Sequence, residues 1–178
     1  MLTSAIFLFK PDMVYNFGTA AKLTTPSGTQ FNVVTDAIQV DYDISAFNHR
    51  VGDVDMPGGF YTRDFASDLT FRGILCSILD EQKVTYDIGS CLSADHFLNS
   101  DSERDALICE YSPMSFDMEA AAIGQTCTIL SVPYASLKVY SDDGSSTSSE
   151  QFDEALEHLA LARAASVEYI LSFGGLNK

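Results

Sequence analysis

Two acidic segments contain the residues best suited to chemistry. In the first, Asp117 and Glu119 flank Met118 where a short apolar run meets an Ala-rich stretch. In the second, Ser141 and Asp142 end another apolar run. Carboxyl groups at the carboxyl ends of strands in an open α/β sheet lie where such folds bind ligands. Each group also has a simpler explanation, because a carboxylate stabilises the start of a helix or caps a turn without any ligand.

The elements that must position these residues are strands alternating with helices, a pattern that predicts a sheet covered by helices. The predicted strands are 13–17, 31–35, 87–92 and 134–140, and the Ala-rich stretch 119–130 is predicted to be a closely packed helix. A last helix is predicted from the apolar spacing of 152–171, with Ser148-x-x-Gln151 as a capping box and Gly174-Gly175 as its end. Residues 43–64 are predicted to be a long loop with little regular structure.

Composition indicates one globular domain, 1–178, with a sizeable core, since 46% of the residues are apolar. The formal net charge of -15 repels nucleic acids and anionic membranes, so a small neutral or cationic ligand is the expected partner. No basic region precedes the apolar run 5–9, so this run is predicted to be neither a signal peptide nor a membrane span. A cytoplasmic location is therefore favoured. The four Cys and three His are scattered, which favours free thiols over a metal site or disulfides.

Several motifs occur along the chain in the order found in one enzyme family. Asp117-Met118-Glu119-Ala120 and Ser141-Asp142 resemble the (E/D)-M-E-(A/G) signature and the I-S-D strand end of methylthioadenosine/S-adenosylhomocysteine nucleosidases, within the purine nucleoside phosphorylase superfamily. The further matches are Asn16-Phe17-Gly18-Thr19-Ala20-Ala21, similar to the N-x-G-(S/T)-A-G turn, the segment 41–47, similar to the D-x-T-A-F loop, and the segment 93–98, similar to S-G-D-x-F-I. The resemblance therefore covers nearly the whole chain.

The resemblance implies an α/β three-layer sandwich, with a central mixed sheet flanked by helices, and a homodimer with shared active sites. It implies hydrolysis of the N-ribosidic bond of purine nucleosides such as methylthioadenosine and S-adenosylhomocysteine, with release of adenine and without a cofactor or metal. Asp142 matches the general acid that protonates purine N7. Glu119 matches the carboxylate that binds the ribose hydroxyls and stabilises the positive charge developing on the sugar.

The resemblance also assigns the other side chains around the substrate. They are Phe97, stacked on the purine; Leu98, whose backbone meets the base edge; Met118, under the ribose; Phe152, closing over the base; Ser141, which steadies Asp142; Asp117, Thr19 and Ala20, beside the substrate; and Ile44 and Phe47, which reach into the neighbouring subunit's pocket.

Water is favoured over phosphate as the nucleophile, because phosphate sites call for Arg side chains. The turn at 16–19 contains no Arg, Lys138 stands where many relatives carry Arg, and the whole chain has five Arg residues. A purine nucleoside phosphorylase is the alternative enzyme.

The match fails at the start of the chain, where Met1–Ala5 resembles the middle of a helix. The family's opening strands and the early Glu that activates water have no counterpart, so no base for water is identified and the strand edge at 13–17 is expected to lack a partner. Three explanations stay open: a fragment of a longer enzyme, replacement of the missing part by an oligomeric partner or altered packing, or a binding or assembly module without turnover.

Overall fold

Eight strands and five helices occur in the part of the chain that the computed structural model describes, residues 1–24 and 28–155. The strands are β1 (Val14–Lys22), β2 (Phe31–Gln39), β3 (Val54–Met56), β4 (Phe60–Thr62), β5 (Asp64–Ala66), β6 (Tyr86–Ser93), β7 (Ser115–Asp117) and β8 (Tyr134–Asp142). The helices are α1 (Leu2–Phe9), α2 (Leu69–Glu81), α3 (Asp101–Tyr111), α4 (Ala120–Ile129) and α5, which begins at residue 148 and is described to residue 155.

Six strands form a mixed sheet in the order β5-β2-β6-β7-β1-β8, and a further antiparallel pairing of β2 with β8 closes five of them into a ring. β1 runs parallel to β8 along its whole length, and β2 runs parallel to β6. The predicted fold class, a mixed α/β fold with a central sheet flanked by helices, is confirmed. β8 pairs with one side of β1. On the other side β7 pairs with β1 only at Ala21 and Lys22, so within the described residues the edge at 14–17 has no strand partner on that side, as expected.

Helices cover the ring from two sides. Leu75 and Leu79 of α2 pack with Val33 and Leu137 in one cluster of buried side chains. Small residues of α4 pack with Val34, Phe65 and other side chains in a second cluster. The Ala-rich stretch was predicted to allow close packing, and α4 shows why: a Cβ at Gly124 would lie 2.8 Å from both Cβ of Phe65 and the hydroxyl of Tyr134.

Buried polar side chains link strands inside the ring. The Asn32 amide of β2 donates to Ser115 Oγ of β7 at 2.8 Å, although β2 and β7 are not hydrogen-bonded neighbours. Asn16 of β1 donates to Ser136 Oγ of the adjacent β8 at 3.1 Å. Because buried polar groups are costly unless they are paired, the Asn32–Ser115 bond fixes how β2 and β7 face each other across the ring, while the Asn16–Ser136 bond reinforces the pairing of β1 with β8.

Two local predictions were wrong. The stretch 43–64 contains the antiparallel pair β3–β4, joined through Gly58 and Gly59 at φ 103° and 77°. The capping box does not form, because Ser148 is already helical and its buried Oγ has no hydrogen-bond partner, while Gln151 accepts from the backbone of Asp143. The rest of the predicted last helix, with its Gly174-Gly175 end, lies outside the described residues.

No helix within the described ranges is long and apolar enough to cross a membrane.

Candidate active site

A cavity of about 410 Å³ opens where β1, β7 and β8 end. This volume is within the range of sites that bind small organic ligands. The cavity is lined by Thr19, Ala20, Ala21, Phe97, Leu98, Phe116, Asp117, Met118, Glu119, Ser141, Asp142, Ser149, Phe152 and Asp153. The two acidic segments singled out in the sequence therefore meet in one site.

Asp142 reaches the cavity because β8 carries a bulge. Tyr140 pairs with Ala20 and Asp142 pairs with Ala21, so Ser141 is an extra residue between two consecutive pairs. Successive side chains of a regular strand point to opposite faces, yet Ser141 and Asp142 both line the cavity. The bulge turns both side chains toward the site, a known role of bulges near binding sites.

Two hydrogen bonds hold the buried Asp142 carboxylate. The Ser141 hydroxyl donates to Oδ2 at 2.7 Å, and the backbone N–H of Gly144 donates to Oδ1 at 3.1 Å. Gly144 has φ 70°, and a Cβ there would lie 2.7 Å from Cδ2 of Leu98. Asp142 thus caps the turn that follows β8, as the simpler interpretation of the sequence suggested, and it also lines the cavity.

Glu119 and Met118 lie at the junction of β7 and α4. Both side chains are exposed and both line the cavity. Glu119 precedes the first helical residue, but its side chain makes no cap hydrogen bond to α4. Its carboxylate is therefore placed to accept hydrogen bonds from ligand hydroxyls in the cavity.

Asp117 has a different environment from Glu119. Its carboxylate accepts from Lys138 Nζ at 2.6 Å, from Ser93 Oγ at 2.5 Å and from the backbone N–H of Ala120 at 3.0 Å. Both side chains of the Asp117–Lys138 pair are 1% exposed. Although Asp117 lines the cavity, its oxygens are occupied by these partners, as the helix-start interpretation of the sequence suggested.

Apolar side chains form the opposite part of the cavity. Phe97 and Met118 are 43% and 42% exposed, so part of each side chain is open to a ligand. The ring of Phe97 meets that of Phe152 edge-on, with centroids 5.9 Å apart. Leu98 also lines the cavity and is buried. This arrangement leaves part of an aromatic ring open to a planar group.

The structure does not bring every predicted residue into the cavity. Thr19 and Ala20, at the end of β1, line it as expected. Ile44 and Phe47 are absent from its lining, and Phe47, the last residue of the short 3-10 helix Ser45–Phe47, is 78% exposed. Their predicted role in a neighbouring subunit is not tested by a single chain.

Four lining residues were not among the predicted site residues: Ala21, Phe116, Ser149 and Asp153. Ser149 and Asp153 are four positions apart in α5 and so share one face of the helix. The predicted helix after Ser148 already contained the signal, because Ser149 lies three positions before Phe152 and four before Asp153.

The lining is acidic and contains neither Lys nor Arg among the residues that the structure describes. Lys138 comes near, because its Nζ lies 2.6 Å from Oδ2 of the lining residue Asp117, but its ammonium is paired with that carboxylate. Within the described residues, no cluster of three or more His, Cys, Asp or Glu side chains could hold a metal ion.

The family assignment agrees with this geometry. The sequence model of the phosphorylase superfamily matches residues 1–173. A 5'-methylthioadenosine/S-adenosylhomocysteine nucleosidase of Staphylococcus aureus is 28% identical over 173 residues, which cover 96% of this chain and 74% of that protein. The resemblance stated from the motifs is confirmed.

Solved structures show the same fold. A complex of the Helicobacter pylori 5'-methylthioadenosine/S-adenosylhomocysteine nucleosidase with a small molecule superposes with a TM-score of 0.84 at 27% identity, covering 96% of this chain and 71% of that one. A mutant futalosine hydrolase of Helicobacter pylori superposes with a TM-score of 0.87 at 24% identity, covering 96% and 73%. The second likeness concerns the fold alone.

Proposed function

This chain belongs to the phosphorylase superfamily, and on that premise we propose that it hydrolyses the N-ribosidic bond of adenine nucleosides such as methylthioadenosine and S-adenosylhomocysteine. The observation that carries the proposal is that Asp142 and Glu119, which come from different elements, line one cavity. The related nucleosidases, whose names give these substrates, support the same reaction. The single domain 1–178 and the cytoplasmic location stay predictions.

Each carboxyl group has a distinct task in this reaction. The bond between the sugar C1' and the purine N9 breaks, and its electron pair leaves with the base. The Asp142 carboxyl donates a proton to purine N7, so the base departs neutral, a contribution typically worth about 10²–10⁴ in rate. Glu119 accepts hydrogen bonds from the ribose hydroxyls, and its negative charge stabilises the cationic sugar. Water adds its oxygen to C1' and releases a proton to solvent, from which the Asp142 carboxylate is protonated again.

Other lining groups would orient the substrate. The exposed face of Phe97 stacks on the purine, and Phe152 closes the edge of the same space. Met118 contacts the sugar, while Thr19 and Ala20 lie beside it. The Ser141 hydroxyl bond to Asp142 keeps the acid at a fixed angle to the base.

Water, rather than phosphate, is the nucleophile in this proposal. Phosphate recognition favours paired guanidinium or ammonium groups, and the described cavity lining has none. The nearest buried cation, Lys138, is held by Asp117 at 2.6 Å. A dianionic co-substrate would therefore face the carboxylates of the cavity without a matching cation.

A homodimer is part of the same proposal. Ile44 and Phe47 lie outside the chain's own cavity, and Phe47 is largely exposed. A second copy would bury these apolar side chains against its own site, which removes apolar surface from water in both chains.

The test follows adenine release from methylthioadenosine in phosphate-free buffer. The wild-type chain is expected to release adenine, and Asp142→Asn is expected to lower the rate by about 10²–10⁴ because an amide cannot donate this proton. Asn retains an oxygen that accepts from Gly144, so the fold should be kept, as circular dichroism would check. Calorimetry with adenine should show binding to both proteins.

Two outcomes would contradict the proposal. If the wild-type chain binds adenine and methylthioadenosine with measurable heat but releases no adenine, it is a nucleoside-binding module. If adenine appears only after phosphate is added, the chain is a phosphorylase.

A further inference from the structure

We propose that Lys138, Asp117 and Ser93 form a positioning network that fixes Glu119 relative to Asp142. The inference rests on the proposed function, because it concerns the two carboxyl groups assigned to the sugar and the base. None of the three network residues is given a chemical step. Their part is to hold the elements that carry the two carboxyl groups.

The network joins strands that the sheet itself does not join. Asp142 ends β8, and Lys138 lies four residues earlier in the same strand. Asp117 ends β7, two residues before Glu119. β7 and β8 are not hydrogen-bonded neighbours, because β1 lies between them. The Lys138–Asp117 ion pair, at 2.6 Å and with both side chains 1% exposed, is thus a direct link between the two segments.

The same carboxylate fixes the backbone around Glu119. The N–H of Ala120 donates to Asp117 Oδ2 at 3.0 Å. The Ser93 hydroxyl donates to Asp117 Oδ1 at 2.5 Å and accepts from the N–H of Ala121 at 3.0 Å. Glu119 therefore lies between residues that are held on both sides, although its own side chain is exposed.

Stability alone is a poor explanation for this pair. A buried ion pair loses much hydration, and apolar residues of similar volume often stabilise a protein as well or better. What the pair does supply is a fixed distance between β7, which carries Asp117, and β8, which carries Lys138. A displacement of about 1 Å at a catalytic group can lower a rate by about 10²-fold, so such a link matters to the reaction.

The experiment compares methylthioadenosine with its 2'-deoxy analogue. Glu119 accepts from ribose hydroxyls in the proposed reaction, so wild type should prefer the ribonucleoside by roughly ten- to a hundredfold in kcat/KM, the size expected for a charge-assisted hydrogen bond. Ser93→Ala, which keeps both buried charges, and the double variant Asp117→Asn with Lys138→Met should each lower this ratio at least about threefold. A partly unfolded sample lowers both activities equally and leaves the ratio unchanged.

Two controls frame the result. Glu119→Gln sets the ratio expected when the carboxylate itself is lost. Ser136→Ala removes a buried hydrogen bond between the adjacent strands β1 and β8, and it should keep the wild-type ratio even if stability falls.

The proposal is overturned if Ser93→Ala and the double variant keep the wild-type ratio; should the double variant fail to fold, Ser93→Ala alone decides. Failure of the proposed function is a separate result, in which wild type releases no adenine from either nucleoside. In that case calorimetry replaces kinetics, and the ratio of the Kd of 2'-deoxyadenosine to that of adenosine is compared among the same variants. The network is therefore still tested.

Discussion

Replacing Gly144 with Ala tests the link between the turn after β8 and the acid. Gly144 has φ 70°, where an L-residue costs about 1–2 kcal/mol. The new Cβ would also lie 2.7 Å from Cδ2 of Leu98 and 3.1 Å from Cδ2 of Leu23, and overpacking of this kind costs about 1–3 kcal/mol. The expected loss of unfolding free energy is therefore about 2–5 kcal/mol.

Gly59→Ala is the matched control for this change. Gly59 has φ 77°, but a Cβ there meets nothing within 4 Å, so the variant should lose about 1–2 kcal/mol from strain alone. Urea unfolding followed by circular dichroism gives both values, provided that the m-values agree. Gly144→Ala should in addition lower kcat, since its N–H donates to Asp142. Equal losses of stability in the two variants would refute the close approach of Leu98 to the turn.

Two further predictions concern the fold and the assembly. Burial raises the pKa of Asp87, but the hydrogen bonds from Thr29 and Tyr140 and the nearby charge of Lys22 together lower it below its ordinary value. Asp87→Asn should lower the unfolding free energy by about 1–3 kcal/mol at pH 7. This loss should shrink as the pH falls below about 3.9, the ordinary pKa of Asp, because the wild-type carboxylate then becomes protonated. A loss that stays constant between pH 7 and pH 3 would contradict this. As a dimer, the chain should sediment at twice its mass of 19.4 kDa. Phe47→Ala should raise the KM for methylthioadenosine, because Phe47 reaches the second copy's site in the proposed dimer. A monomer with full activity would exclude the shared site.

The sequence predicted the middles of the strands better than their ends. The segments 31–35, 87–92 and 134–140 all lie inside observed strands, because their β-branched and aromatic residues favour a pleated, half-buried surface. β1 continues to Lys22 through Gly18, Ala20 and Ala21, which carry no such signal and are held there by pairing with β8. The pair β3–β4 was missed because three-residue strands are too short to show alternation.

Within the site, the residue types were predictable and their partners were not. The motifs identified Asp142 and Glu119, but the bulge at Ser141 depends on the register with a strand more than a hundred residues earlier in the chain. Lys138 was noted only as a replacement for Arg. Its burial and its pairing with Asp117 follow from the closure of the strands into a ring, which local sequence patterns do not encode.

Closure of the ring also explains how an acidic cavity suits this reaction. Asp117, Glu119, Asp142 and Asp153 all line it, and the buried ammonium of Lys138 balances Asp117 rather than facing the ligand. The carboxylate charge that remains repels an anionic nucleophile and attracts a sugar that becomes positive as the base leaves. Releasing Lys138 toward a phosphate would leave Asp117 charged and unpaired at 1% exposure, which typically costs about 3–5 kcal/mol when a buried pair is broken. In the proposed reaction, the contact that positions Glu119 would therefore also favour neutral water over phosphate as the nucleophile.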